Sequence, residues 1–224
     1  MSNAADLFAS VGAGDAASVA RMLELEPELL NARNEQGISA VLMACYMGRT
    51  EIRDLLVEKG ATLELHEAAA AGKLSRVKES VEGNPELARS YSPDGFPVVA
   101  LAAAFGHEDV ARYFFEKGAD INAVASNETG YTALTGAAAG NHASIVKWLV
   151  ENGANVNYRY AKGHSPLLEA AANGRLDIVK TLVAHGADLH ARTDDGKNAF
   201  DFAQERAHNE VAEFLRGKGC GDLD

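Results

Sequence analysis

The chain has 224 residues, 47% apolar and 24% charged, with a formal net charge of −11. That balance supports a folded core and excludes a disordered chain, while the acidity argues against nucleic-acid backbones and anionic membranes and suits a neutral or basic protein partner. Cys45 and Cys220 form no CxxC pair, no apolar run reaches the roughly 20 residues of a membrane span, and "MSNAADLF" lacks the basic and apolar parts of a secretory signal, so a cytoplasmic protein without disulfides or membrane contact is expected.

Residues 4–33 read as two helices divided at Gly14, with no glycine-containing loop in front of them. This is the pattern of an N-terminal cap. Residues 34–62 show the fuller unit. A loop with Gly37 leads to Ser39, whose hydroxyl can accept from the orphan amides of a first helical turn. A short Ala-rich helix follows, then a turn at Gly48, then an amphipathic helix stopped at Gly60. Residues 63–91 begin almost at once with a helix, because "EKGATLELHEAAAAGKL" leaves no room for a loop. The step from Gly60 to Leu65 is 5 residues, against 14 from Gly153 to Leu167.

The pattern then repeats over 92–123, 124–158, 159–191 and 192–221. Loop glycines at Gly95, Gly130, Gly163 and Gly196 are spaced by 35, 33 and 33 residues. Thr132, Ser165 and Asn198 are the expected helix caps, Pro97 replaces a cap, and Pro166 takes a first helical position. Turns fall at Gly106, Asn141 and Gly174, and helix stops at Gly118, Gly153, Gly186 and Gly219. The last unit mixes Phe200, Phe202, Val211, Phe214 and Leu215 with charges, as a cap with one wet face does. "GKGCG" beyond it reads as a frayed tail.

A second period is longer. Gly14 and Gly72, Pro27 and Pro85, Gly37 and Gly95, Gly48 and Gly106, and Gly60 and Gly118 all pair at an offset of 58. The third unit is then a second copy of the cap, joined directly to the unit before it. A gap in the row of loops is expected there, with helix stacking continued by Leu65, Ala68, Ala69 and Val77.

Two helices and a turn-rich loop at a period of about 33 residues resemble ankyrin repeats. "GYTALTGAA" and "GHSPLLEAA" are degenerate forms of that family's loop-helix signature, and "GADIN", "GANVN" and "GADLH" of its turn. The opening unit is similar to those of bacterial-type arrays. The resemblance covers nearly the whole chain and implies one all-α domain over 1–224, an ankyrin-repeat solenoid of about seven helix–turn–helix units. It implies β-hairpin-like finger loops, with the finger absent between the second and third units.

The residues offer little chemistry. His107, His142 and His208 share one position after the inner-helix turn, and His66 matches the family's "TPLH" histidine, so structural hydrogen bonding is expected of all four. His185 and His190 are five apart and do not share a helix face. There is no HExxH, no phosphate loop and no nucleophile spaced from a base. No catalytic residue, metal or cofactor is expected, and Cys45 reads as a buried small residue. The expected role is a non-enzymatic protein–protein interaction scaffold, acting as a monomer. The alternatives are a designed or consensus-derived array and, last, an adaptor of an enzyme complex.

The resemblance implies docking on the concave side, among loop tips and exposed faces of the first helices. Carried over unit by unit, this names Glu35, Gln36, Ile38, Tyr46 and Met47, then Asp94, Phe96 and Phe105, then Thr129 and Tyr131. The sixth unit adds Tyr158, Arg159, Tyr160, Lys162, His164 and Asn173, and the seventh Asp195, Lys197 and Arg206. The third offers only Ala70 and Ala71. Six aromatic residues of the chain's 8 Phe, 6 Tyr and 1 Trp project to this side (Tyr46, Phe96, Phe105, Tyr131, Tyr158, Tyr160). Exposed aromatics suit an interface, although Phe96 and Phe105 also fit packing between fingers.

Overall fold

Ser39, Thr132, Ser165 and Asn198 each turn a side-chain oxygen onto the amide three residues ahead. Thr132 and Asn198 complete capping boxes with Thr135 and Asp201. These caps open short helices: α3 (Ala40–Tyr46), α9 (Ala133–Ala139), α11 (Pro166–Ala172) and α13 (Ala199–Glu205). Two more members of this row, α5 (Leu65–Ala70) and α7 (Val98–Ala104), start without a side-chain cap. Helices of six or seven residues are not stable alone. Their stability must come from their neighbours, and nearly every residue of α5, α7 and α9 is buried.

Each short helix is followed by a three-residue turn and an outer helix. The outer row comprises α4 (Thr50–Glu58), α6 (Leu74–Gly83), α8 (Glu108–Glu116), α10 (Ala143–Glu151), α12 (Leu176–Ala184) and α14 (Asn209–Arg216). At the N-terminal end α1 (Ala4–Ala13) and α2 (Ala16–Leu25) form the corresponding pair. The computed structural model describes residues 3–221, and among these the chain is all-α, with only isolated β-bridges in the loops. Inner helices pack on inner helices in chain order from α1 to α13, forming one layer against which the outer row lies. None of the described helices is long and apolar enough to cross a membrane.

The middle residue of each turn takes a left-handed conformation: Gly48, Gly72, Gly106, Asn141, Gly174 and Ala207. Ala207 departs from the Gly-or-Asn pattern at φ 58°. A Cβ there costs about 1–2 kcal/mol, partly offset by the greater freedom of glycine in the unfolded chain. Ala207→Gly is therefore expected to stabilise by about 0.5–1 kcal/mol and raise Tm by about 1–4 °C in a thermal melt.

The third turn residue stitches the stack. His107 Nε2 lies 3.0 Å from the Ala70 carbonyl oxygen, His142 Nε2 2.9 Å from that of Ala104, and His208 Nε2 3.1 Å from that of Ala172. Each ring satisfies a helix-end carbonyl of the preceding inner helix. Burial pushes the His107 ring below its usual value, against the bond to Ala70. On the opposite edge, Asn122 donates to Gly153 O and accepts from Asn155 N, and Asn157 does the same with Gly186 and Asp188. The last asparagine of "GADIN" and "GANVN" thus joins one unit to the next.

The offset of 58 is carried by the backbone. The 3-10 turns Pro27–Asn31 and Pro85–Arg89, the bridges Arg33–Ser39 and Tyr91–Pro97, and the pairs α2/α6, α3/α7 and α4/α8 all repeat at that spacing. Between α4 and α5, residues 61–64 run without a turn or bridge. Leu65, Ala68, Ala69 and Val77 are buried and belong to the core that continues to the C-terminal end. A second core holds Leu7 through Leu56 with Ala71, and Leu42, Cys45 and Ala70 lie between the two.

The C-terminal segment differs from its sequence reading. Cys220 is fully buried, and its thiol donates to Leu189 O at 3.0 Å. The segment through Gly221 is docked rather than frayed, because the final outer helix leaves an apolar slot that a small thiol fills.

Candidate functional site

The face formed by α3, α5, α7, α9, α11 and α13 with the loops before them carries the residues expected to bind. Their side chains fall into two groups. The first surrounds Tyr46, at the end of α3. Its ring lies 6.1 Å from that of Phe96 and 5.8 Å from that of Phe105. Phe96 stands in the loop before α7 and Phe105 just after α7. Tyr46 can reach both because α5 and the residue after it place only Ala70 and Ala71 between them, with no loop in front of the helix. The three rings therefore meet across the missing finger. Ile38 packs with them, and Met47 stays about half exposed at the rim.

The Tyr46 hydroxyl is buried without a hydrogen bond, and burial, with the Asp94 carboxylate beside it, pushes its ionisation far above the usual range. Ser92 Oγ donates to Asp94, and Asn127 Nδ2 donates to the Asp94 carbonyl at 2.8 Å. That bond and Ser126 N to Gly95 O tie the loop before α7 to the loop before α9.

The second group runs along the C-terminal half. Tyr131 meets Tyr160 edge-on at 5.1 Å, Tyr160 lies 5.9 Å from His164, and His164 lies 5.6 Å from Phe202. The Tyr160 hydroxyl donates to Glu169 Oε2 at 3.1 Å, and Asn173 donates to Glu169 Oε1 at 2.9 Å. Burial, then the Glu169 charge, raises the ionisation of both tyrosines. Glu169 was missed by sequence reasoning. Its signal was its place in "PLLEAAANG", one turn before Asn173 on the inner helix.

The remaining candidates are spread along the rim. Glu35, Gln36, Arg159, Lys162, Asp195 and Arg206 are exposed, while Thr129, Tyr158 and Lys197 are half-buried. Arg159 donates to the Arg192 carbonyl and Arg206 to the Ala172 carbonyl, so both guanidinium groups brace the loops and helix ends. Lys197 pairs with Glu205 at 2.7 Å. Trp148 stands apart in the outer row, edge-on to Phe115 at 5.7 Å and under Arg112.

Cys45 lies beneath the first aromatic group. Its thiol is directed at Ala70 O, and burial pushes its pKa up to about 12. A thiol so protonated is a poor nucleophile. Cys45 is expected to resist iodoacetamide at pH 8 in native protein and to react within minutes after unfolding, as mass spectrometry would read.

The face therefore combines two half-buried aromatic clusters with a polar and charged rim, an arrangement suited to contact rather than to bond-making. A family model for ankyrin repeats in three copies matches residues 65–160 and 157–223. Over 134 residues the chain is 30% identical to "Transient receptor potential cation channel subfamily A member 1 homolog" of Caenorhabditis elegans, an alignment covering 56% of this chain and 11% of that protein. The match over most of the chain, together with the stacked helix pairs and their histidine stitches, shows that the chain belongs to the ankyrin-repeat family.

Proposed function

We propose that this chain is a non-enzymatic scaffold that binds a protein or peptide across its inner-helix and loop face. Ankyrin repeats generally mediate protein–protein contact, and the observation that carries the reading here is the two aromatic clusters. Half-buried rings held by their neighbours lose little freedom on binding and supply large apolar area, the usual source of interface energy. Met47, Gln36 and Lys162 at the rim would set register around them. The net charge of −11 favours a neutral or basic partner. We take the array as seven units in one domain acting as a cytoplasmic monomer.

A photo-crosslinking amino acid placed at Gln36, Met47 or Lys162 tests the face, with Lys78 and Glu213 on the outer helices as controls. After exposure to extract from the source cell, one partner band at the three inner positions and none at the controls is expected. Crosslinks at the outer positions instead would overturn the assignment.

A further inference from the structure

The link without a finger brings three donor atoms to one point. Glu64 is the N-cap residue of α5, and His66 and Glu67 lie in its first turn. Arg33, from the loop before α3, reaches across to both carboxylates. Its Nη2 lies 2.9 Å from Glu64 Oε1 and 3.0 Å from Glu67 Oε1. The other oxygen of each carboxylate faces the imidazole: His66 Nε2 is 3.9 Å from Glu64 Oε2 and 3.3 Å from Glu67 Oε2. One carboxylate oxygen from each glutamate and the ring nitrogen lie within 4.8 Å of one another.

Two of these side chains are buried without being satisfied. His66 is 7% exposed and Glu67 is 0% exposed. No aligned hydrogen bond reaches His66 Nε2 or either Glu67 oxygen, although the His66 ring and the Ser39 hydroxyl lie close enough to help lower the Glu67 pKa. Charge proximity to Arg33 accounts for the Oε1 atoms. It leaves the Oε2 atoms and Nε2 converging on one another without a proton aligned between them. Buried polar atoms of this kind need a partner. Zinc bonds to nitrogen and oxygen of about 2.0–2.2 Å in tetrahedral geometry place ligand atoms about 3.3–3.6 Å apart. The 3.3 Å separation already meets this, and Glu64, with its side chain 57% exposed, can close the 3.9 Å gap by a rotamer adjustment.

We propose that Glu64, His66 and Glu67 form a binding site for one divalent transition-metal ion, with Zn²⁺ the fitting ion. Imidazole in the set selects transition metals over Mg²⁺ and Ca²⁺. Glu64 lies at the solvent edge, so water completes the coordination. Arg33 holds the outer carboxylate oxygens and orients them, the role that partners beyond the ligands usually have. With the imidazole neutral, as a ligand must be, two carboxylates and one guanidinium leave the pocket with one uncompensated negative charge. The ion would clamp residues 61–64 to the first turn of α5, where no finger holds them. The spacing Glu-x-His-Glu gives no warning in sequence, because the set crosses the corner from extended chain into helix.

The test uses the full chain stripped with EDTA and dialysed free of it. ZnCl₂ titrated by calorimetry is expected to bind one to one. At a free concentration near 100 times Kd, Tm should rise by about 5–11 °C. Co²⁺ in its place should give visible bands between about 500 and 650 nm characteristic of four-coordinate N,O ligation. His66→Gln and Glu64→Gln should each weaken binding by at least about 10–100-fold. Glu64→Gln alters an exposed side chain and keeps the fold testable. The double variant His185→Gln/His190→Gln should bind as the parent does. No heat and no Tm shift on adding Zn²⁺, binding unchanged in both Glu64→Gln and His66→Gln, or binding lost in the His185/His190 variant would each overturn the site.

Discussion

Replacing Arg33 with alanine in metal-free protein is expected to cost about 2–4 kcal/mol of unfolding free energy near neutral pH, and much less near pH 4. The reason lies in Glu67. Its carboxylate is fully buried, and Arg33 at 3.0 Å is its full-time counter-charge. Burial alone would raise the Glu67 pKa, but the His66 ring first, then the Arg33 guanidinium and the Ser39 hydroxyl, hold it below the ordinary carboxylate value. A folded pKa below the unfolded one stabilises fully above the unfolded value, and that contribution is lost as pH falls through the folded one. Without Arg33, one of the groups opposing burial is gone and the Glu67 value rises. The variant then has less carboxylate stabilisation to lose as pH falls than wild type has, so the gap narrows on acidification. Urea unfolding at both pH values measures this. Lys147→Ala serves as the control, since Lys147 and Glu151 form a solvent-exposed pair at 3.9 Å worth no more than about 0.5 kcal/mol. An Arg33→Ala cost no larger than that of Lys147→Ala, or one independent of pH, would show that Glu67 does not depend on its guanidinium.

The same two residues mark the limit of what the sequence discloses. Local signals are legible, because a cap, a left-handed turn or an apolar period needs only neighbours within four residues to act. Ser39, Thr132, Ser165 and Asn198 cap as their positions imply, and the glycines expected at turns and helix stops, from Gly48 to Gly219, take positive φ. The family resemblance has the same origin, since each unit restates those local rules. Contacts between units about 30 residues apart are a different matter. They depend on how far each loop leans over its neighbour. Nothing local in "LHEAAAAG" sets Glu67 apart, and it is the approach of Arg33 across the link that gives the buried carboxylate a counter-charge. On sequence, Tyr46, Phe96 and Phe105 fit either an interface or, for the two phenylalanines, packing between fingers; the absent loop lets all three close into one cluster. The sequence reading expects a notch at the third unit. The described chain has no loop there, but aromatic rings from both sides span the space above Ala70. Glu169 escaped notice because an acidic residue on a short helix is ordinary until Tyr160 and Asn173 are seen to converge on it.

Gly140→Ala is expected to cost about 3 kcal/mol or more, although its backbone would accept alanine. Gly140 follows α9 with φ −72° and ψ −5°, a right-handed conformation open to any residue. In open space the change would gain up to about 1 kcal/mol, because glycine is a poor helix residue. Here a Cβ would lie 2.4 Å from Ala104 O and 2.6 Å from two atoms of the His142 ring. The ring can rotate away, but the carbonyl is backbone and ends α7. It also accepts from His142 Nε2 at 2.9 Å, so moving the ring forfeits the stitch between the two units. The other escape is to slide α9 off α7. That opens a tight helix contact, where a Cβ on Gly136 would already stand 2.9 Å from the Ala104 Cβ. Either route loses packing that helices this short cannot spare. Gly12→Ala provides the opposite case: it sits in α1 with nothing within 4 Å of the added atom, and should stabilise by about 0.5–1 kcal/mol. Adding His142→Ala to Gly140→Ala separates the two escapes. The double variant should recover only part of the loss, because the clash with Ala104 O remains. Full recovery would place the whole cost on the ring, and the helices would then be free to approach as they are.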